Sequence, residues 1–144
     1  MKWVRFALLL IFLAPRAEAL ETAWKPSQLV QTSALARVLK TKDEPLILHV
    51  GFQFLYKSGH IPGSKYLGPA KDEAGLKKLR DFAKPLPRDR QIVLYCGCCP
   101  FEKCPNVGPA FRALEAMGFK NVRVLELREN FATDWSKKGF PIER

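Results

Sequence analysis

The sequence predicts a single α/β domain built on a central, mostly parallel sheet with helices on both faces. Three observations carry this. Short apolar runs that read as buried strands recur, at Leu46-Ile47-Leu48-His49-Val50, Gln91-Ile92-Val93-Leu94-Tyr95 and Val122-Arg123-Val124-Leu125. Segments with helical spacing of apolar residues separate them, and strands alternating with helices favour a parallel sheet. Glycine and proline clusters punctuate the boundaries without repeat, low-complexity tract or linker.

Taken in order, Lys25-Pro26-Ser27 carries helix-start residues, and Leu29, Val30, Leu35, Val38 and Leu39 give a helical face through Lys40. Thr41 to Pro45 is turn-like and leads into the strand ending at Gly51. Gly59-His60-Ile61-Pro62-Gly63 is a turn, and Tyr66-Leu67 a brief strand. Asp72 stands at a capping position before a helix with Leu76, Leu79 and Phe82 facing inward, ended by Pro85 and Pro87. The strand to Tyr95 follows, then a cysteine-rich loop. Beyond it a helix carries Phe111, Leu114 and Met117 and stops at Gly118. After the Val122–Leu125 strand, a last helix covers Phe131 to Lys137, stopped by Gly139 and Pro141.

The 144-residue chain suffices for one domain with a core. Its start has the marks of a signal peptide: basic Met1 to Arg5, a short apolar run from Phe6 to Ala14, and the small-x-small site Ala17-Glu18-Ala19. The apolar run is about half of what spans a bilayer. Residues 1–19 are therefore predicted to be removed, leaving residues 20–144 as an exported domain, periplasmic in a Gram-negative source and secreted otherwise, with no stable membrane insertion after cleavage. Removing Lys2, Arg5, Arg16 and Glu18 leaves 21 basic and 13 acidic residues, a net charge of +8 against +10 for the full chain. Such a balance suits small anionic partners. The basic residues are scattered rather than clustered with aromatics, and no nucleic-acid motif is present.

All four cysteines fall in the stretch Cys96-Gly97-Cys98-Cys99-Pro100-Phe101-Glu102-Lys103-Cys104, between a strand and a helix. They are too close together to staple distant parts of a fold, so their chemistry is local. Export favours oxidation, and a Cys99–Cys104, Cys98–Cys104 or vicinal Cys98–Cys99 disulfide would close the loop. Cys96-Gly97-Cys98-Cys99 is also a C-x-x-C, the spacing that lets one thiolate attack and another resolve. Four thiolates suit zinc or copper(I), but adjacent cysteines do not match zinc spacing, so no metal ligand is assigned.

Three stretches resemble the single-domain rhodanese-like (sulfurtransferase) family. Gly59-His60-Ile61-Pro62-Gly63-Ser64 resembles its G-H-I-P-G-A turn. Ile92-Val93-Leu94-Tyr95-Cys96 resembles the strand ending at its catalytic cysteine. Leu114 to Gly118, Phe119, Asn121-Val122 and Val124-Leu125, continuing to Trp135, Gly139 and Phe140-Pro141-Ile142, resemble its closing elements. The likeness spans roughly residues 25–143 and implies a rhodanese-like α/β fold with about five short strands flanked by helices on both faces. Three departures accompany it. His49-Val50-Gly51 stands for the family's Asp-x-Arg. Leu127-Arg128-Glu129-Asn130 replaces a Gly-Gly. The active loop is about five residues longer than usual.

The resemblance implies a sulfurtransferase with Cys96 as nucleophile, Cys98 and Cys99 as alternates, and a persulfide intermediate. It implies a small anionic sulfur donor, a thiol acceptor and no cofactor. Gly97, Cys98, Cys99, Lys103 and Arg112 are the candidate donor contacts. Lys103 stands five after Cys98, where the family often has a basic residue relative to its nucleophile; Phe101 holds that place relative to Cys96. The following helix's N-terminus is expected to favour the thiolate. The alternatives are a thiol–disulfide oxidoreductase using Cys96 and Cys99, and a non-catalytic sulfur- or metal-binding module. A phosphatase is disfavoured: six residues after Cys96 stands Glu102 rather than arginine. His49, near a strand's C-terminal end, is a candidate loop-facing group. His60 reads as structural, as does Trp135, and Asn130 and Asp134 as braces of the last helix.

Overall fold

A computed structural model describes residues 23–144; the predicted signal segment lies outside the described residues. Among the described residues, no helix is long and apolar enough to cross a membrane. The elements are β1 (Leu29–Val30), α1 (Thr32–Val38), β2 (Leu46–His49), α2 (Gln53–Ser58), β3 (Lys65–Tyr66), α3 (Glu73–Ala83), β4 (Ile92–Tyr95), α4 (Val107–Ala116), β5 (Val122–Leu125) and α5 (Phe131–Asp134). Short 3-10 turns cover Pro26–Gln28, Phe101–Lys103 and Ser136–Lys138. The five strands pair in parallel in the order β1-β5-β4-β2-β3. This is the predicted α/β architecture.

Strand β4 lies centrally and is buried at all four positions, as a parallel strand covered on both faces requires. Its side chains alternate between two cores. Ile92 and Leu94 join Leu48, Val124, Leu79 and Leu114 on the α3/α4 side. Val93 and Tyr95 join Ile47, Leu125, Leu35 and Trp135 on the other. Trp135 is fully buried, and its indole N–H donates to the Pro141 carbonyl at 2.8 Å, so its one polar group is satisfied.

Several elements differ from the sequence expectation. Leu29 and Val30 are a strand rather than the start of a helical face. They pair with Val124 and Leu125, and the helix begins only at Thr32. Tertiary pairing overrides local spacing here. Helix α2 is additional to the predicted elements. The last predicted helix is broken: Trp135, at φ −123°, leaves the helical region, and a 3-10 turn follows. Gly139, at φ +74°, ends it in the left-handed region as expected. Asp72 occupies the α3 cap position, but its carboxylate takes the Lys71 ammonium instead of a backbone N–H.

His60 binds the C-terminal segment. Its backbone exchanges two hydrogen bonds with Glu143, each 2.9 Å, its Nδ1 donates to the Tyr56 carbonyl, and its ring stacks on Tyr56. It is structural, as expected.

The segment after β3 follows the end of β2: Leu67 N–H donates to His49 O and Ala70 N–H to Val50 O, both 2.9 Å. Gly75, in the first turn of α3, packs directly on this segment, and a Cβ there would strike the Pro69 carbonyl. Helix propensity alone makes Gly75→Ala stabilising by about 1 kcal/mol. The contact reverses the sign, and we expect a loss of about 1–3 kcal/mol. A lowered urea midpoint for Gly75→Ala is the expected result; a raised midpoint contradicts this packing.

Candidate active site

Cys96 directly follows β4 at the C-terminal edge of the sheet, where ligand sites of α/β folds gather. The neighbouring strand ends beside it, with His49 opposite Tyr95 and Val50 N–H donating to Tyr95 O at 2.9 Å. One residue further on, Gly51 lies flat against the cysteine. A Cβ at Gly51 would sit 2.5 Å from Cys96 Sγ and 2.8 Å from its carbonyl oxygen. The position matched to the family's arginine thus has room for no side chain at all.

The loop leaves the strand through Gly97, at φ +87°, where a Cβ would also press on Phe131. Gly97 O accepts from Phe131 N–H at 3.1 Å, and Phe101 N–H donates to Leu127 O at 2.9 Å, tying the loop down at two points. Phe101, at the place of the family's basic residue, is buried in the α3/α4 core. Asp134 and Asn130 brace the adjoining α5: the Asp134 carboxylate accepts from the N–H groups of Glu129 and Asn130, and Asn130 Oδ1 accepts from Thr133 N–H. The expectation for both residues holds.

All four cysteines are free thiols in the structure, and the loop is closed by non-covalent contacts rather than by the Cys99–Cys104 bridge. Cys96 Sγ and Cys98 Sγ are 3.3 Å apart, and the sulfurs of Cys96, Cys98 and Cys104 all lie within 4.8 Å of one another. Cys99 touches Cys98 at 2.8 Å and stands outside that trio. Cys99, the C-x-x-C partner of Cys96, is therefore not one of the sulfurs gathered around it.

Asn106 is the residue the sequence did not reveal. It is fully buried, and its Nδ2 donates to Cys96 Sγ at 3.4 Å. Its Oδ1 accepts from Lys71 N–H at 2.9 Å, which fixes the amide so that its NH2 meets the sulfur. The only sequence signal was an asparagine at a helix start, and its side chain makes no capping bond.

The three surrounding thiols hold their protons. Burial, with the Cys99 contact next, pushes the Cys98 thiol up to about 12. Burial raises Cys99 as well. Cys104 is raised first by its hydrogen bond to Cys96 and then by burial. Cys104 is thus held protonated beside the Cys96 sulfur. The backbone N–H groups of Asn106 and Val107, at the start of α4, face Cys104. The start of α4 thus lies against Cys104.

A cavity of about 530 Å³ opens over Cys96, Gly97 and Cys98. Its walls are largely apolar, with Phe54, Leu55, Phe131 and Ile142 among them; among the described residues, Arg144 is the one lysine or arginine in its lining. Cys99, Lys103 and Arg112 do not line it. Lys103 is exposed at the end of its 3-10 turn, and the Arg112 guanidinium lies on α4 near Gly108. Nothing in the sequence marked Arg144.

His49 borders the cavity while its ring is buried among Tyr56, Tyr66 and Tyr95. Its Nδ1 accepts from Gly51 N–H at 3.3 Å. Burial first, then the nearby His60, lowers its pKa to about 4, against the pull of the carbonyls of His49 and Cys96. The ring is therefore neutral near pH 7 and braces the two strand ends.

A thiol at the end of a central parallel strand, beneath a cleft and surrounded by three further thiols, defines a cysteine-centred α/β domain. The family model of the rhodanese-like domain matches residues 32–127, and the chain belongs to that family. Solved structures agree. The rhodanese-like protein from Anabaena sp. superposes with TM-score 0.61 at 24% identity, covering 79% of this chain and 81% of that one. A Bacillus halodurans protein gives 0.63 at 22%, covering 81% and 77%. A single-domain sulfurtransferase from Saccharomyces cerevisiae gives 0.59 at 16%, covering 81% and 94%. At these identities the likeness establishes the fold. Comparison with curated proteins finds no match.

The low pKa of His49 makes stability pH-dependent. Unfolded, His49 takes a proton near 6.5; folded, only near 4. Its contribution is full above 6.5 and is lost as pH falls from 6.5 to 4, roughly 3 kcal/mol in all. Urea midpoints across that window should fall more steeply for the parent than for His49→Asn. Equal slopes contradict a buried neutral imidazole.

Proposed function

We propose that the domain is a sulfurtransferase that carries sulfane sulfur as a persulfide on Cys96. The observation that carries this reading is the placement of Cys96 Sγ. It sits under the cavity, backed by Gly51, with the Asn106 amide donating to it. A donated N–H stabilises negative sulfur, both as attacking thiolate and as persulfide.

The first step takes a thiosulfate-like anion. The Cys96 thiolate attacks the outer, sulfane sulfur, a new S–S bond forms, and the donor's S–S bond breaks. Sulfite leaves with the electron pair, and Cys96 becomes an anionic persulfide. In the second step an acceptor thiolate attacks the terminal sulfur and leaves as a persulfide, restoring the Cys96 thiolate. Arg144 supplies positive charge for the donor anion; Lys103 and Arg112 do not line the cavity. The apolar walls leave the reacting sulfurs poorly hydrated, which strengthens these polar contacts.

A second reading has one observation in its favour. The 3.3 Å contact of Cys96 and Cys98 suits thiol–disulfide exchange, with Cys98 rather than Cys99 as the resolving thiol.

The reduced protein mixed with thiosulfate, without acceptor, should release a single equivalent of sulfite in a burst. Cys96→Ser should abolish the burst, and Asn106→Ala should slow it about 10- to 100-fold. A Cys96→Ser protein that still bursts, or a parent that never does, sinks the proposal.

A further inference from the structure

We propose that Cys96, Cys98 and Cys104 form a copper(I) site in which three thiolates ligate one ion. The proposal goes beyond sulfur transfer and does not depend on it. The three sulfurs come from three places in the chain: the end of β4, the loop, and the approach to α4. The fold nonetheless gathers them within 4.8 Å of one another. A metal about 2.3 Å from each of three thiolates, in a trigonal plane, sets the sulfurs about 4 Å apart. The cluster already has this size, so binding needs side-chain adjustment and no refolding.

The donor set selects the ion. Among the described residues, no histidine nitrogen or carboxylate oxygen belongs to the cluster. The nearby His49 ring has its Nδ1 engaged by the Gly51 N–H. Zinc sites are almost always four-coordinate, whereas the trio offers three sulfurs, a soft and low-coordinate set that suits copper(I). Adjacent cysteines do not stand in the way of this site, because the trio uses Cys104 in place of Cys99. Binding is not a redox step. The ion enters as copper(I), copper–sulfur bonds form, and the thiol protons pass to solvent.

The surroundings are those of a supported ligand set. Asn106 Nδ2 donates to Cys96 Sγ, and Lys71 N–H locks the amide in place. The backbone N–H groups of Asn106 and Val107 face the Cys104 sulfur. Phe101 and Val107 pack in the same core as Cys96 and Cys104, shielding that side from water. Such hydrogen bonds and apolar cover orient thiolates and protect the bound ion. A copper-bound Cys96 has given up charge to the metal and shares its open face with the ion, so the ion would block sulfur transfer.

The test is anaerobic titration of the reduced full chain with the copper(I)–bicinchoninate complex, following loss of the complex's colour and the gain of thiolate-to-copper absorption. The parent should remove a single equivalent of copper(I). Cys104→Ser and Cys98→Ser should each weaken binding more than about 100-fold, beyond the cost of losing a merely supporting group. Cys99→Ser should bind as the parent does. Cys98 is only half-buried, so Cys98→Ser keeps the test decisive if Cys104→Ser does not fold. No copper uptake by the parent overturns the site. So does parent-like binding by Cys98→Ser or by a folded Cys104→Ser, an equal loss in Cys99→Ser, or uptake of zinc in preference to copper(I). The sulfite burst is read on copper-free protein, so failure of either proposal leaves the other measurable.

Discussion

The parallel register of β2 on β4 is the constraint on which the site depends. With His49 opposite Tyr95, both strands leave the sheet at the same level, and the next residues meet. Gly51 then lies against Cys96 with no space for a Cβ. One side of the sulfur is therefore closed by backbone, and the strand end is pinned by Val50 N–H and by the neutral His49 ring. The thiol can face only the cavity and the loop that follows. Slipping the register by one residue would move each side chain of β4 to the opposite core, so the position of Cys96 is as firmly specified as the core itself.

The enlarged loop changes how the sulfur is supported. A short loop lets the next helix begin beside the nucleophile and lend it the helix N-terminus. Here α4 begins only at Val107, and its first N–H groups meet Cys104. The direct donor to Cys96 is a side chain, Asn106, which is held by Lys71 on the segment that follows β3. Gly75 lets α3 press on that same segment. A chain of close contacts thus runs from α3 through Pro69 and Lys71 to the Cys96 sulfur, linking helix packing to chemistry.

Much of the fold was legible because long apolar runs bury on both faces of a sheet, as at Ile92–Tyr95, and because Gly118 and Gly139 mark helix ends. Leu29 and Val30 were misread because a two-residue strand has no periodicity of its own and exists only through its pairing with β5. The site was legible at Cys96, and in the departures at His49 and Gly51, which proved to be the residues that brace and back the sulfur. Lys103 was drawn from a spacing that holds for a shorter loop, and Arg112 from its charge on the following helix. The insertion turns Phe101 inward and leaves both cations outside the cavity lining. Asn106 and Arg144 reach the site through tertiary folding alone, which no local pattern records.

We propose that, among four neighbouring thiols, Cys96 is the one that receives sulfur. Peptide-resolved mass spectrometry of the reduced protein, quenched directly after thiosulfate is added, tests it most directly. The expected result is a gain of one sulfur atom on the peptide position of Cys96, with Cys98, Cys99 and Cys104 unmodified. Sulfur first found on Cys98 or Cys99, with Cys96 unmodified, would contradict it.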